Sequence, residues 1–135
     1  EPCPCAANNS LIGWPNEPKP AYYAVAAANR PAMVSAKIPR FDWKRRADFS
    51  ATLFLLNDSP APVGAVEFHA RFESAGQSAR LGSWNCSGTS AGKHCAGPVI
   101  SGQLPDWPGE TFDLVVEAAG RPDLSSRYTL VFVRE

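Results

Sequence analysis

Along the middle of the chain, Val66, Phe68, Ala70 and Phe72 alternate with Glu67, His69, Arg71 and Glu73. A period of two puts one side of a strand in a core and the other in water. The same alternation runs through residues 49–57, where Phe49, Ala51, Leu53 and Leu55 make an apolar face and Ser50 and Thr52 begin the opposite one, the pattern of a core strand. Shorter segments at residues 33–38, 80–85, 98–104, 111–118 and 128–133 extend the series. Between them lie Asn57-Asp58-Ser59-Pro60-Ala61-Pro62, Ala75-Gly76-Gln77-Ser78, Pro105-Asp106-Trp107-Pro108-Gly109-Glu110 and Gly120-Arg121-Pro122-Asp123, built from residues that each favour turns for a separate reason. Residues 40–48 read as a polar connection carrying Phe41 and Trp43, and residues 88–93 as a flexible loop. Six or seven short strands in about 100 residues predict an all-β fold, an immunoglobulin-like antiparallel β-sandwich.

The first 30 residues break this rhythm. Prolines at positions 2, 4, 15, 18 and 20 leave no sustained period, so the segment reads as a connector, with Ile12 and Trp14 expected either to fold back on the domain or to be mobile. The run Ala21-Tyr22-Tyr23-Ala24-Val25-Ala26-Ala27-Ala28-Asn29 predicts two helical turns. Proline suits a helix's first turn and not its continuation, so Pro20 opens the run and Pro31 stops it. A helix this short is marginal in water without something to pack on. The chain is thus expected to divide into a short helical or irregular connector, 1–30, and a sandwich, 31–135.

Composition narrows the function. The 13 basic and 13 acidic residues cancel, so nothing favours nucleic acid or an anionic membrane surface as partner. The Lys44-Arg45-Arg46 run is read as a solvated turn and His69 as a solvent-facing residue. No apolar run approaches the roughly 20 residues of a membrane helix. With 13 prolines and 10 glycines, long helices are excluded. The four cysteines fall into two close pairs, Cys3/Cys5 and Cys86/Cys95. Closing the loop between Cys86 and Cys95 would stabilise the fold by about 2.5–3 kcal/mol on the chain-entropy model, which suits an oxidising, secreted or periplasmic setting. A disulfide is expected there. His94 beside Cys95 has no second histidine near it in sequence, which argues against a zinc site, and no metal or cofactor is expected. Cys3-Pro4-Cys5 is too tight for an unstrained bridge, which leaves free thiols or partners elsewhere in a longer polypeptide.

Three stretches carry a family likeness. Pro18-Lys19-Pro20-Ala21-Tyr22-Tyr23-Ala24-Val25 resembles the run that ends the catalytic barrel of many bacterial glycoside hydrolase family 2 enzymes. Residues 49–58, a strand ending in Asn57-Asp58, resemble a strand of the immunoglobulin-like domain that follows that barrel. Leu104-Pro105, the turn to Gly109-Glu110, the strand from Thr111 and the ending Leu124-Ser125-Ser126-Arg127-Tyr128 resemble that domain's last third. The stretches occur in family order across residues 18–133. The chain departs from the family in keeping only Trp14-Pro15 of an upstream Asn-Asp-x-Trp-Pro segment, in placing Arg45-Arg46-Ala47-Asp48 where a glycine-based turn is usual, and in its Cys86/Cys95 pair.

The resemblance implies a non-catalytic C-terminal domain of an exo-β-glycosidase, packed against a preceding barrel of the same polypeptide, with Tyr22 and Tyr23 at the seam between them. A retaining glycosidase needs two carboxyl groups about 5 Å apart. In the family these belong to the barrel, while Glu17, Glu67, Glu73 and Glu117 read as solvated carboxylates. Ser87, Ser90 and His94 lack a nucleophile-elbow pattern, so the chain alone is not expected to be an enzyme. One alternative is a carbohydrate-binding module stacking glycan on Trp43, Trp84 and Trp107, although tryptophans in a sandwich more often pack in the core or pin a turn. Another is a secreted adhesion domain.

Overall fold

A computed structural model describes residues 11–13 and 15–134; Cys3, Cys5 and Trp14 lie outside the described residues. The chain divides into two compact units, Glu1–Arg30 and Pro31–Glu135. In the first, β1 (Ile12–Gly13) and β2 (Glu17–Pro18) form a two-stranded antiparallel ladder, turned by Asn16 in the left-handed region at φ 81°. The nine-residue helix α1 (Pro20–Ala28) follows, with Pro20 in its first turn.

The second unit is an immunoglobulin-like β-sandwich. Its strands are β3 (Ala32–Lys37), β4 (Asp42–Trp43), β5 (Asp48–Asn57), β6 (Val66–Ser74), β7 (Gln77–Cys86), β8 (Cys95–Gln103), β9 (Thr111–Ala118) and β10 (Ser126–Phe132). One sheet has the order β4-β10-β9-β6-β7 and the other β3-β5-β8. All pairings are antiparallel except that of β4, which runs parallel to β10.

The alternation in β5 and β6 is realised as read. Phe49, Ala51, Leu53 and Leu55 are buried from one sheet, and Val66, Phe68, Ala70 and Phe72 from the other. A chain of aromatic rings crosses this core. Trp43 meets Phe49 at 4.8 Å, Phe49 meets Phe72 edge-on at 5.1 Å, Phe72 meets Phe112 at 5.7 Å, and Phe112 stacks on Phe132 at 4.4 Å. Such offset and edge-to-face contacts add to the burial term.

Departures from the sequence reading have identifiable causes. β8 begins at Cys95 instead of 98 because Gly97 and Pro98 together oppose Leu53, a bulge between the Thr52–Val99 and Phe54–Ala96 pairs. An edge strand tolerates proline at such a bulge. β7 starts at Gln77 because Ser74 pairs with Gln77 around a two-residue turn, Ala75-Gly76. Both central residues have positive φ, 44° and 81°, the geometry that matches the twist of hairpin strands. The connection at 40–48 contains β4, and its glycine-free turn is made by Arg46 at φ 59°.

The ending Leu124-Ser125-Ser126-Arg127-Tyr128 gains a physical role. Leu124 is fully buried, and Ser125 Oγ accepts the backbone N–H of Ala118 at 2.9 Å. Ser126 Oγ donates to the Val34 carbonyl at 2.6 Å, and Tyr128 Oη accepts the Ala36 N–H at 3.0 Å. Two hydroxyls on β10 thereby satisfy the exposed backbone edge of β3 and clasp one sheet to the other, a polar closure of an edge that would otherwise invite pairing. Replacing Tyr128 with Phe should cost about 1–2 kcal/mol, because it leaves a partly buried N–H without its acceptor. Urea unfolding checks this; an unchanged midpoint would mean that water replaces the phenol.

Candidate functional site

The helix α1 carries the proposed seam residues. None of its residues is buried. Tyr23 is 61% exposed, and Tyr22 and Val25 are each 39% exposed. The tyrosine rings meet edge-on at 5.5 Å and 88°. The turn into the helix is held by the Tyr22 N–H donating to the Lys19 carbonyl at 2.8 Å, and its end by the Asn29 N–H on Val25 O at 2.9 Å. Adjacent aromatic rings on a wholly exposed, alanine-rich helix present a rigid apolar body with two hydroxyl tips, a composition suited to a protein surface.

The tryptophans fall into different environments. Trp43 is 3% exposed. Its indole N–H donates to the Arg40 carbonyl at 2.9 Å, and the Arg40 guanidinium lies 4.5 Å over the ring. It is a core residue that pins the 40–43 turn, as tryptophans in a sandwich more often do, and the sugar-stacking alternative is corrected at this position because no sugar face can reach it. Trp84 stacks on Phe68 at 5.3 Å and lies against Gly97, where an added Cβ would come within 2.8 Å of its ring. Trp107 packs on the core from a half-buried position, and its carbonyl accepts from Arg45 Nε at 3.0 Å. The basic run at 44–46 is thus more than a solvated turn. Arg45 also donates to the Gly109 carbonyl and lies 4.8 Å over the Phe132 ring, while Arg46 pairs with Asp106, so this turn is tied to the one at 105–109.

Of the glutamates, Glu17 lies in β2 of the first unit, while Glu67, Glu73 and Glu117 lie on β6 and β9 on the outer face of the five-stranded sheet. Arg71 bridges Glu73 at 3.0 Å and Glu117 at 2.6 Å, and Arg127 bridges Glu73 at 2.6 Å and Asp113 at 2.5 Å. Glu67 faces His69 at 3.4 Å. The hydrogen bond from Arg71, reinforced by Arg127, holds the Glu73 carboxyl below its ordinary value. A depressed native pKa stabilises the fold above the ordinary carboxylate range, and that contribution is lost as acid takes the pH down through the native value. A glycosidase acid needs the opposite, a carboxyl pushed upward. Beside this network the β6–β7 hairpin, Asp113 and Arg127 line a shallow polar hollow of about 340 Å³.

His94 pairs with Asp58 at 3.0 Å at the surface. Among the described residues no three His, Cys, Asp or Glu side chains converge in a metal-ligating group. The expected Cys86–Cys95 bridge is not formed in this structure. Both carry free thiols, Cys86 buried and Cys95 half-buried, and burial pushes the Cys86 thiol upward.

The residue the sequence undervalues is Asn57, which reads as the end of a strand and the start of a turn. It is fully buried. Its amide donates to Ala61 O at 2.9 Å and Ser90 O at 3.1 Å, and its Oδ1 accepts Ser59 N–H at 3.1 Å and Ser59 Oγ–H at 2.6 Å. A polar residue where the alternation demands an inward side chain was the available signal.

No family model and no curated protein sequence matches the chain. Solved structures superpose on part of the chain. Spo0M, a sporulation control protein from Bacillus subtilis, superposes with a TM-score of 0.50 at 13% identity over 78% of this chain, which spans half of that protein's length. The alkylpurine DNA glycosylase AlkC of Pseudomonas fluorescens gives 0.49 at 10% identity, covering 82% of this chain and 33% of that one. The secreted serine protease VesC of Vibrio cholerae gives 0.49 at 13% identity, covering 81% and 24%. At 13% identity the likeness to Spo0M is one of fold alone, and one fold hosts many unrelated functions.

Proposed function

We propose that this chain is the non-catalytic C-terminal β-sandwich of a family 2 type exo-β-glycosidase, working by packing against a preceding barrel and shaping the edge of its substrate cleft. The observation that carries the reading is α1, whose nine residues leave Tyr22, Tyr23 and Val25 exposed and bury nothing. An isolated helix shorter than about 12–15 residues does not hold itself in water. A helix of this composition immediately before a sandwich, in a sequence that resembles the family's barrel end, fits a segment that completes a neighbouring domain. The catalytic carboxylates of such an enzyme belong to the barrel, while the glutamates of this chain's sheet serve its ion pairs.

On this reading the isolated chain exposes an apolar patch made to be covered, and such patches tend to find partners. Sedimentation at increasing concentration should show weak self-association, and the Tyr22→Ser, Tyr23→Ser double variant should sediment as a monomer with an unchanged unfolding midpoint. Cooperative loss of the sandwich in the double variant would instead make the tyrosines part of that domain's own core. A coding sequence immediately upstream without a barrel would overturn the reading outright, and glycan-array binding by the isolated chain would replace it with the carbohydrate-binding alternative.

A further inference from the structure

The sandwich has two open sides, and they are closed by different chemistry. On the β3–β10 side the closure is the pair of hydroxyls on Ser126 and Tyr128. On the other side β7, the edge of the five-stranded sheet, meets β8, the edge of the three-stranded one. Cys86 is the last residue of β7, in register with Val66, and Cys95 is the first of β8, in register with Leu55. Cys86 belongs to the buried core, and Cys95 packs on it from a half-buried position. The two cysteines neighbour each other, and Cys86 Sγ accepts the Gly88 N–H at 3.4 Å.

The intervening loop is held independently of any bond between the cysteines. Val63 and Thr89 exchange two backbone hydrogen bonds of 2.9 Å, and Ser90 O accepts from Asn57. Gly88 passes so close to this bridge, at φ 93°, that a Cβ there would lie 2.2 Å from Val63 O. The fold itself therefore holds the two cysteines as neighbours at the meeting ends of β7 and β8, the arrangement that makes intramolecular thiol–disulfide exchange outcompete reaction with a second small molecule.

We propose that Cys86 and Cys95 form a reversible disulfide that locks β7 to β8 and so staples the two sheets on their otherwise unclasped side. With a small-molecule disulfide as oxidant, the more accessible Cys95 attacks first as its thiolate. One sulfur of the reagent bonds to Cys95 Sγ, and the other leaves as a thiolate. Cys86, deprotonated in turn, attacks Cys95 Sγ, forms the intramolecular S–S bond and expels the second small thiolate. The protein's two thiols lose two protons and two electrons, and the reagent is reduced to two thiols. Reduced glutathione reverses the sequence. The inference stands on the geometry of β7 and β8 and not on the glycosidase reading.

The test uses the full chain with Cys3→Ser and Cys5→Ser, so that only this pair is read, equilibrated with oxidised and reduced glutathione. Intact mass should fall by two hydrogens under oxidising mixtures and recover under reducing ones. The oxidised protein should resist alkylation at both sites and melt about 10 °C higher than the reduced protein. Adding Cys86→Ser should arrest the reaction at a persistent glutathione adduct on Cys95, whereas adding Cys95→Ser should leave the buried Cys86 slow to react. Two alkylatable thiols, or two glutathione adducts, under excess oxidised glutathione would overturn the proposal. So would an oxidised form with an unchanged melting temperature. The mass and melting measurements need neither single variant, so a variant that fails to fold leaves the test intact.

Discussion

Phe72→Ala should cost the sandwich about 3–5 kcal/mol, the largest loss expected of a single substitution in this domain. Phe72 is fully buried and is the ring that joins Phe49, on the three-stranded sheet, to Phe112, on the five-stranded one. Its removal cuts the aromatic chain between Trp43 and Phe132 at its middle. The walls of the resulting cavity are poorly placed to collapse. β6 is hydrogen-bonded on both sides, with Phe72 in register with Leu114 and with Ala79, so its backbone cannot move inward without breaking two ladders. Domains of this size are stable by about 5–15 kcal/mol, and the variant would lose a large share of that. Urea unfolding should show a much lower midpoint with an unchanged slope. A loss below about 1 kcal/mol would show that the site repacks and that the ring chain is not a structural unit.

Asn57→Ala should cost about 2–4 kcal/mol, although it removes less volume. The amide makes four hydrogen bonds, to Ala61 O, Ser90 O and both polar groups of Ser59, the full capacity of that side chain. It ties the end of β5 both to the 58–62 turn and to the loop between Cys86 and Cys95. Alanine strips partners from buried groups, each costing about 1–3 kcal/mol when left unmade. Asn57→Asp separates this account from one based on size. The isosteric carboxylate cannot donate to the Ala61 and Ser90 carbonyls, so at neutral pH Asp should be at least as damaging as Ala. A near-native Asp variant would show that shape at position 57 matters and the donors do not.

Much of the sandwich was legible because its central strands obey one rule. β5, β6 and β9 are flanked by neighbours within their sheets, so burial acts on alternate side chains and leaves a period of two in the residues. At the edges the signal fades. β7 buries only Cys86 fully, and β8 is broken by the Gly97-Pro98 bulge, so both were read short. β4 is two residues long and exists through its parallel pairing with β10, a partner nearly 90 positions away in the chain. Trp43 reads as a candidate sugar platform because a tryptophan in a polar connection has an exposed neighbourhood in sequence; folding packs it against Phe49 and into the core. The Leu-Ser-x-x-Tyr ending was legible as a family likeness and mute as to mechanism.

By itself the sequence determined the all-β class, the helix bounded by Pro20 and Pro31, the turn positions and the inward-facing residues of the central strands, because each of these depends on residues within a few positions of one another. Tertiary structure alone decided how the two sheets are fastened. Ser126 and Tyr128 find Val34 and Ala36 across 92 positions of chain, and Cys86 comes beside Cys95 with both thiols free; within the five-stranded sheet, Arg71 finds Glu117 across 46 positions. Hydrogen bonds and sulfur contacts require a specific approach of a few ångströms. Local patterning sets which face of a strand is apolar, but which edges meet depends on how the whole sheet twists and stacks.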